Sequence, residues 1–243
     1  MIELHYWPTP NGWKITIMLE ECGLPYRVVP VRIGRGDQFK PDFLAISPNN
    51  RMPAMVDTEP KTGGPPVSVF ESGAILMYLA EKSGRFMPAD LAGRYAVIQW
   101  LMWQMSALGP IAGQNGHFKL YAREKIPYAI ERFANEVDRL YGVMDRRLGA
   151  SEHLAGPLIS IADFACFPWI MTHKAQGLTL DVFPNLKRWF AALRAREALQ
   201  RGLAVGKEWR SASLADDEEA RRVMFGQTAA NTASRATEGS RNG

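Results

Sequence analysis

Hydrophobic and polar positions change period along this chain, and the changes mark its elements. Residues 2–7 alternate, Ile-Glu-Leu-His-Tyr-Trp, as a half-buried strand does. The dense turn Pro8-Thr9-Pro10-Asn11-Gly12 follows. Ile15, Met18, Leu19 and Cys22 then recur at helical spacing up to the stop signals Gly23 and Pro25. Residues 26–31 are rich in β-branched side chains and predict a second strand. Residues 34–38 read as a loop and 40–46 as a short helix. Residues 53–57 and 66–70 read as two strands joined by the turn-rich Glu-Pro-Lys-Thr-Gly-Gly-Pro. Ser72 opens a helix with Ile75, Leu76, Leu79 and Ala80 on one face. The predicted order is β-α-β-α-β-β-α.

Ser83-Gly84-Arg85-Phe86-Met87-Pro88 breaks this pattern, and the periodicity beyond it is helical. Residues 95–108 are apolar and rich in Trp and Met, Pro127 opens a long amphipathic helix, and Pro184 opens another through Ala198. Ser160-Ile-Ala-Asp163 has the spacing of a capping box, with Asp in place of the usual Glu or Gln, and reads as a helix anchor rather than a catalytic acid. The division expected is an α/β domain over residues 1–85, a linker over 86–92, an all-helical domain over 93–210 and a partly disordered tail over 211–243. Within that tail, Val223, Met224 and Phe225 form one short apolar segment able to pack back.

At 47% hydrophobic and 22% charged, the 243 residues are of ordinary globular composition. No apolar run reaches the roughly 18–20 residues of a membrane span, and the first residues lack a signal-peptide pattern. The expectation is a cytoplasmic chain without a membrane partner. The net charge of +4 comes from Lys and Arg interspersed with Asp and Glu, so no nucleic-acid partner is expected. Cys22 and Cys166 are scattered, lie among apolar residues and form no Cys-x-x-Cys; they read as buried thiols.

Three stretches carry candidate chemistry. Ser47-Pro-Asn-Asn-Arg51 runs straight into Met52-Pro53, where a proline opens a strand and Met52's backbone groups are available for a strand-like ligand. On sequence alone a trans peptide stands, since only about 5–6% of X-Pro bonds are cis. Thr9 and Asn11 lie at the N-terminus of the first helix, where capping and anion binding are both open to them. Glu71-Ser72 opens a later helix. Ser72 is a good N-cap, and the pair also suits a clamp in which helix N–H groups hold a carboxylate and Glu71 an ammonium.

Together these runs resemble the soluble glutathione transferases over residues 1–210. The motifs are Met52-Pro53, Phe70-Glu71-Ser72-Gly73-Ala74-Ile75 and Ser160-Ile-Ala-Asp163. The details resemble the Nu class, the bacterial relatives of the yeast prion-forming nitrogen regulator. These are Pro8–Gly12, Ile46-Ser-Pro-Asn-Asn-Arg-Met-Pro-Ala, Gly109-Pro-Ile-Ala-Gly-Gln-Asn and Ile126-Pro-Tyr-Ala-Ile-Glu-Arg132.

The resemblance implies a thioredoxin-like α/β domain followed by an all-α glutathione-transferase domain, with Pro53 cis. Met52 would pair with the cysteinyl unit of glutathione, Glu71 and Ser72 would hold its γ-glutamyl end, and Gln38 and Asn50 would flank the tripeptide. Thr9 and Asn11 would face the sulfur. Arg132 would arrive from a second subunit, implying a homodimer; on its own it reads as a surface arginine. Trp103, Gln104, Phe118 and Tyr121 stand as candidates for the acceptor side, with helix packing as the alternative. Tyr6 is a weaker candidate donor that also reads as core.

The activity implied is glutathione-dependent disulfide-bond reduction on a small or peptide disulfide, with glutathione as co-substrate and no metal. Since the first turn holds no cysteine, glutathione itself would carry the electrons. Conjugation of glutathione to an electrophile and a regulatory module with little activity are the alternatives. A dithiol oxidoreductase lacks its Cys-x-x-Cys here.

Overall fold

The computed structural model describes residues 1–209 and 217–229. Four strands, β1 (Ile2–Tyr6), β2 (Tyr26–Pro30), β3 (Ala54–Asp57) and β4 (Val67–Phe70), form one sheet in the order β2-β1-β3-β4. β1 and β2 run parallel across the crossover helix α1 (Pro10–Cys22), while β3 and β4 are antiparallel to their neighbours. The short α2 (Pro41–Ile46) leads to β3, and α3 (Ser72–Ser83) follows β4. The alternation in β1 is real: Ile2, Leu4 and Tyr6 are buried and the residues between them are not.

The segment read as a loop over 34–38 contains two 3₁₀ turns, Ile33–Arg35 and Asp37–Phe39. The Asp37 carboxylate organises them by accepting from the Arg32 N–H at 3.0 Å and its Nε at 2.8 Å, with Gly36 between them at φ 84°. These charges hold the Asp37 carboxyl below its usual range against the opposing effect of burial.

The remainder is helical. α4 (Leu91–Trp103) begins two residues before 93, with the Asp90 carboxylate accepting from the Gly93 N–H at 2.8 Å. It continues through a π segment, Gln104–Leu108, into α5 (Gly109–Gly116) and a second π segment, His117–Tyr121. α6 (Pro127–Ala150), α7 (Ile161–Met171), α8 (Pro184–Arg194) and α9 (Glu197–Ala204) complete the layer. The single helix expected from Pro184 to Ala198 is two. Arg196 turns out of helical geometry between them and places its guanidinium on the Glu21 carboxylate at 2.6 and 2.7 Å.

The last described helix, α10 (Glu218–Phe225), contains the apolar segment read within the tail. Val223 is buried, and Ala220 packs against the 3₁₀ turn at Gly34. Residues 211–216 and 230–243 of the tail lie outside the described residues.

One core spans both layers. α1 packs against α3 on its own sheet and against α7 and α9 of the helical layer, and its residues from Gly12 to Leu19 are all buried. Gly202 of α9 lies so close to α1 that a Cβ there would stand 2.7 Å from the Ile17 backbone.

Asp163 is the anchor its spacing predicts. One carboxylate oxygen accepts from the Ser160 N–H at 2.9 Å, and the other accepts from the Leu154 N–H at 3.1 Å and Trp189 Nε1 at 2.9 Å. Asp163→Ala removes the acceptor of four donors in a fully buried site, the Leu154 and Ser160 N–H groups, the Ser160 hydroxyl and the Trp189 indole. At about 1–3 kcal/mol for each orphaned group, the variant loses about 3 kcal/mol or more of unfolding free energy in urea, whereas Asp163→Asn, which keeps an acceptor, loses less.

Candidate functional site

The cleft between the two layers is built by the first βα turn, the Met52–Pro53 corner and the start of α3. Thr9 caps α1: its Oγ1 accepts from the Gly12 N–H at 3.5 Å, and Pro10 occupies the first turn, where a missing N–H costs nothing. Gly12 is obligatory there, because a Cβ would meet the Trp7 carbonyl oxygen at 2.3 Å. The Thr9 hydroxyl donates across the cleft to Met52 Sδ at 3.5 Å.

The Met52–Pro53 peptide is cis. The trans form favoured by sequence alone is thus corrected, and the form implied by the family resemblance is found. Among the described residues, neither backbone polar group of Met52 engages another backbone group.

Asn11 is held by a residue that sequence reasoning missed. Trp169 Nε1, on α7, donates to Asn11 Oδ1 at 3.2 Å. An indole N–H only donates, so the amide oxygen faces Trp169 and the two Nδ2 protons are left for another partner. No sequence signal marks this pair, since 158 residues separate the two.

Glu71 adopts φ 67° and ψ 120°, a conformation that non-glycine residues rarely take, at the start of α3. Its exposed carboxylate accepts from Asn49 Nδ2 at 3.1 Å. Ser72 is 5% exposed, with its Oγ 3.2 Å from Lys14 Nζ. Asn50 takes φ 55° in the turn before Met52, and its side-chain oxygen is buried without a partner among the described residues. Gln38 is 2% exposed and donates through Nε2 to the Ile33 carbonyl at 3.0 Å.

The structure therefore brings Thr9 to Met52 and Asn49 to Glu71, and sets Gln38 in the turn under α10. Arg132 stands apart, exposed on α6 with its guanidinium 3.7 Å from Glu136. Tyr6 is core: its hydroxyl donates to the Val205 carbonyl at 3.1 Å.

Beside Thr9 lies a cavity of about 460 Å³ whose mostly apolar wall includes the aromatic side chains of Trp7, Trp13, Tyr121, Trp169 and Trp209, with Phe225 of α10 on one side. Of the four residues proposed for an acceptor side, Tyr121 lines this cavity. Phe118 instead stacks on Phe133 and faces a neighbouring groove beneath α10, and Trp103 packs edge-on against Trp100. Gln104 is buried beneath Ser72, where its Oε1 accepts from Lys14 Nζ at 2.7 Å. Those three follow helix packing, the alternative reading.

Neither cysteine lines the cavity. Cys166 is buried in α7, and burial pushes its thiol well up; burial also raises Cys22, whose sulfur donates to Ser83. Among the described residues, no three His, Cys, Asp or Glu side chains gather as a metal site.

Family models for the glutathione S-transferase N-terminal and C-terminal domains match residues 9–82 and 117–197. The chain belongs to the glutathione S-transferase family. It is 51% identical over 203 residues to the disulfide-bond oxidoreductase YfcG of Escherichia coli, covering 84% of this chain and 94% of that one. Its fold is similar to a glutathione transferase family member from Pseudomonas fluorescens crystallised with two glutathione bound, with a TM-score of 0.78, 45% identity and coverage of 83% and 92%. A glutathione transferase from Pseudomonas putida with one glutathione disulfide per subunit matches with a TM-score of 0.80, 41% identity and coverage of 84% and 91%. The thioredoxin-like domain followed by a helical transferase domain is thus the architecture of this family.

The backbone at Glu71 gives a direct test of stored strain. Glycine takes positive φ without a Cβ penalty, and the strain in question is of order 1–3 kcal/mol. Glu71→Gly raises the unfolding free energy by about 1 kcal/mol in urea denaturation, net of glycine's greater unfolded entropy.

Proposed function

We propose that the protein is a glutathione-dependent disulfide-bond oxidoreductase in which glutathione, not a protein cysteine, carries the electrons. The observation that carries this reading is the first βα turn. It offers Thr9 Oγ1 and the Asn11 amide protons at a helix N-terminus, while both protein thiols lie elsewhere with raised pKa values. The 51% identity to a relative named as a disulfide-bond oxidoreductase supports it.

A thiol with a reference pKa near 8.5 is only a few per cent ionised at neutral pH. The Thr9 hydroxyl, now spent on the weak acceptor Met52 Sδ, finds a stronger acceptor in a thiolate. The Asn11 Nδ2 protons are already turned away from Trp169. Each unit of lowered pKa requires about 1.4 kcal/mol of preferential binding of the anion, within the reach of one or two charge-assisted hydrogen bonds.

The reaction takes two steps. The thiolate of one glutathione attacks a sulfur of the disulfide RSSR, forming the mixed disulfide GS–SR and expelling RS⁻, which takes up the proton lost by the glutathione thiol. A second glutathione thiolate attacks the glutathionyl sulfur of GS–SR, giving glutathione disulfide and a second RS⁻, protonated in turn. RSSR is reduced by two electrons and two glutathiones are oxidised.

In this reading Met52's free backbone groups pair with the cysteinyl unit, and Glu71 and Ser72 hold the γ-glutamyl end. Gln38 and Asn50 flank the tripeptide, and Arg132 enters the site of a partner subunit in a homodimer. The aromatic cavity receives the second glutathione or the RS group. A cytoplasmic setting, where thiols stay reduced, suits this chemistry.

The experiment is reduction of 2-hydroxyethyl disulfide by glutathione, run beside conjugation of chlorodinitrobenzene. Fast reduction with feeble conjugation is expected; the reverse makes the protein a conjugating transferase. Asn11→Ala is expected to lower the reductase rate tenfold or more while the protein stays folded, the lost Trp169 bond costing about 1 kcal/mol of stability, and full activity in that variant overturns the thiolate assignment. The double variant Cys22→Ala, Cys166→Ala keeps the reductase rate, measured on the folded fraction; loss of activity in a folded double variant means that a protein thiol takes part.

A further inference from the structure

Lys14 is an unusual residue to find in the middle of α1. It is 1% exposed, yet the thiolate chemistry above makes no use of it. Its Nζ lies 2.7 Å from Gln104 Oε1 and 3.2 Å from Ser72 Oγ, with Met105 Sδ at 3.9 Å. Gln104 turns its carbonyl oxygen to Nζ and leaves its own Nε2 buried without a partner among the described residues, an arrangement suited to a cation. The titratable groups acting on Nζ are Cys166, from α7, and Glu71, at the start of α3. The π segment brings only the neutral Gln104 and Met105, and α9 meets α1 further along, through Gly202 at Ile17.

An ammonium has three donors and no lone pair, whereas a neutral amine can also accept. We propose that Lys14 is a positioning residue whose protonation sets the hydrogen-bond sense of Ser72. As an ammonium it donates to Oγ, so the serine proton, resting on the weak acceptor Met105 Sδ at 3.7 Å, stays available to an anion in the cleft; as an amine it accepts the serine proton, and Ser72 meets the cleft with its oxygen lone pairs. In the first state the hydroxyl adds a donor to the helix N–H groups that hold a carboxylate; in the second its lone pairs oppose one. The inference rests on the reading of Ser72 as a partner of the γ-glutamyl carboxylate, and adds that binding this carboxylate is coupled to proton uptake at Lys14.

The pH range follows from burial. Desolvation draws the Lys14 pKa down to about 7, opposed by Cys166 and Glu71. An anion bound at Ser72 favours the ammonium and raises that value. Below it, Lys14 is already charged and binding takes up no proton. Above it, the free protein must first gain one, so affinity falls as pH rises, by up to about tenfold per pH unit for one coupled proton.

The test is calorimetric titration with S-methylglutathione, which has no thiol to ionise, between about pH 6 and pH 8 in phosphate and in Tris. Wild-type protein is expected to show buffer-dependent heat corresponding to proton uptake, growing above pH 7 as affinity falls. Lys14→Met is expected to bind more weakly, with neither buffer dependence nor a pH trend. Ser72→Ala, which keeps the lysine but removes the relay, flattens the profile too, and with the wild-type buffer dependence it decides the matter if Lys14→Met does not fold. Wild-type binding that is flat in pH and independent of buffer overturns the role of Lys14 while leaving the glutathione site standing, as does a wild-type pH trend surviving in Lys14→Met. Absence of any S-methylglutathione binding overturns the γ-glutamyl reading itself, and this inference with it.

Discussion

Burial of α1 between the sheet and the helical layer is the constraint on which the rest of the structure depends. A helix covered on one side can carry polar residues on the other, but α1 is enclosed from Gly12 to Leu19. Close approach requires glycine at both ends of the contact, Gly12 under the Trp7 carbonyl and Gly202 of α9 over Ile17. Enclosure also means that the polar side chains of α1 need protein partners, and while Thr16 bonds back to the Trp13 carbonyl at 3.3 Å, the two that face the cleft side draw theirs from other elements. Asn11 finds Trp169 of α7, and Lys14 finds Ser72 of α3 and Gln104 of the π segment. The packing that joins the two layers thus orients the groups at the cleft.

This enclosure explains how a turn without cysteine can serve redox chemistry. Capping fixes Thr9 at the helix N-terminus, where the partial positive charge favours an anion, and the indole of Trp169 fixes which side of the Asn11 amide donates. Donors aimed in advance need no reorganisation when charge develops on sulfur. The aromatic cavity beside Thr9 opens onto the same place, and α10 supplies part of its wall through Met224 and Phe225. The helix is tied down by Arg35 to Glu219 at 3.1 Å and Arg51 to Gln227 at 2.5 Å, so a segment beyond the expected domain boundary helps shape the acceptor side.

What the sequence makes legible is local. The alternation of β1, the Thr9 cap, the corner at Met52–Pro53, the start of α3 at Ser72 and the Ser160–Asp163 anchor each involve residues within a few positions of one another. Their geometry follows from turn and capping chemistry, except at α3, where Glu71 and not Ser72 takes the N-cap position and no side-chain cap bond forms among the described residues. The cis form of Pro53 is not a local consequence of composition; it entered through family resemblance. The pairs that orient the site are remote: Asn11 with Trp169, and Lys14 with Gln104, 90 residues away. Lys14 reads as an ordinary helix residue, because nothing in Gly-Trp-Lys-Ile shows that α3 and the π segment will cover the face that carries it. Trp103 and Phe118 failed as acceptor-side residues for the same reason. Helical period tells which residues share a face, not which neighbour that face meets.

The central claim is that the Thr9–Asn11 turn stabilises a glutathione thiolate. The most direct measurement is the ultraviolet absorption of the thiolate as a function of pH for glutathione bound to the protein, with the S-methyl derivative as blank. The account predicts an apparent thiol pKa at least about one unit below that of free glutathione, with most of the shift lost in Asn11→Ala. A bound thiol that titrates like the free one would contradict it.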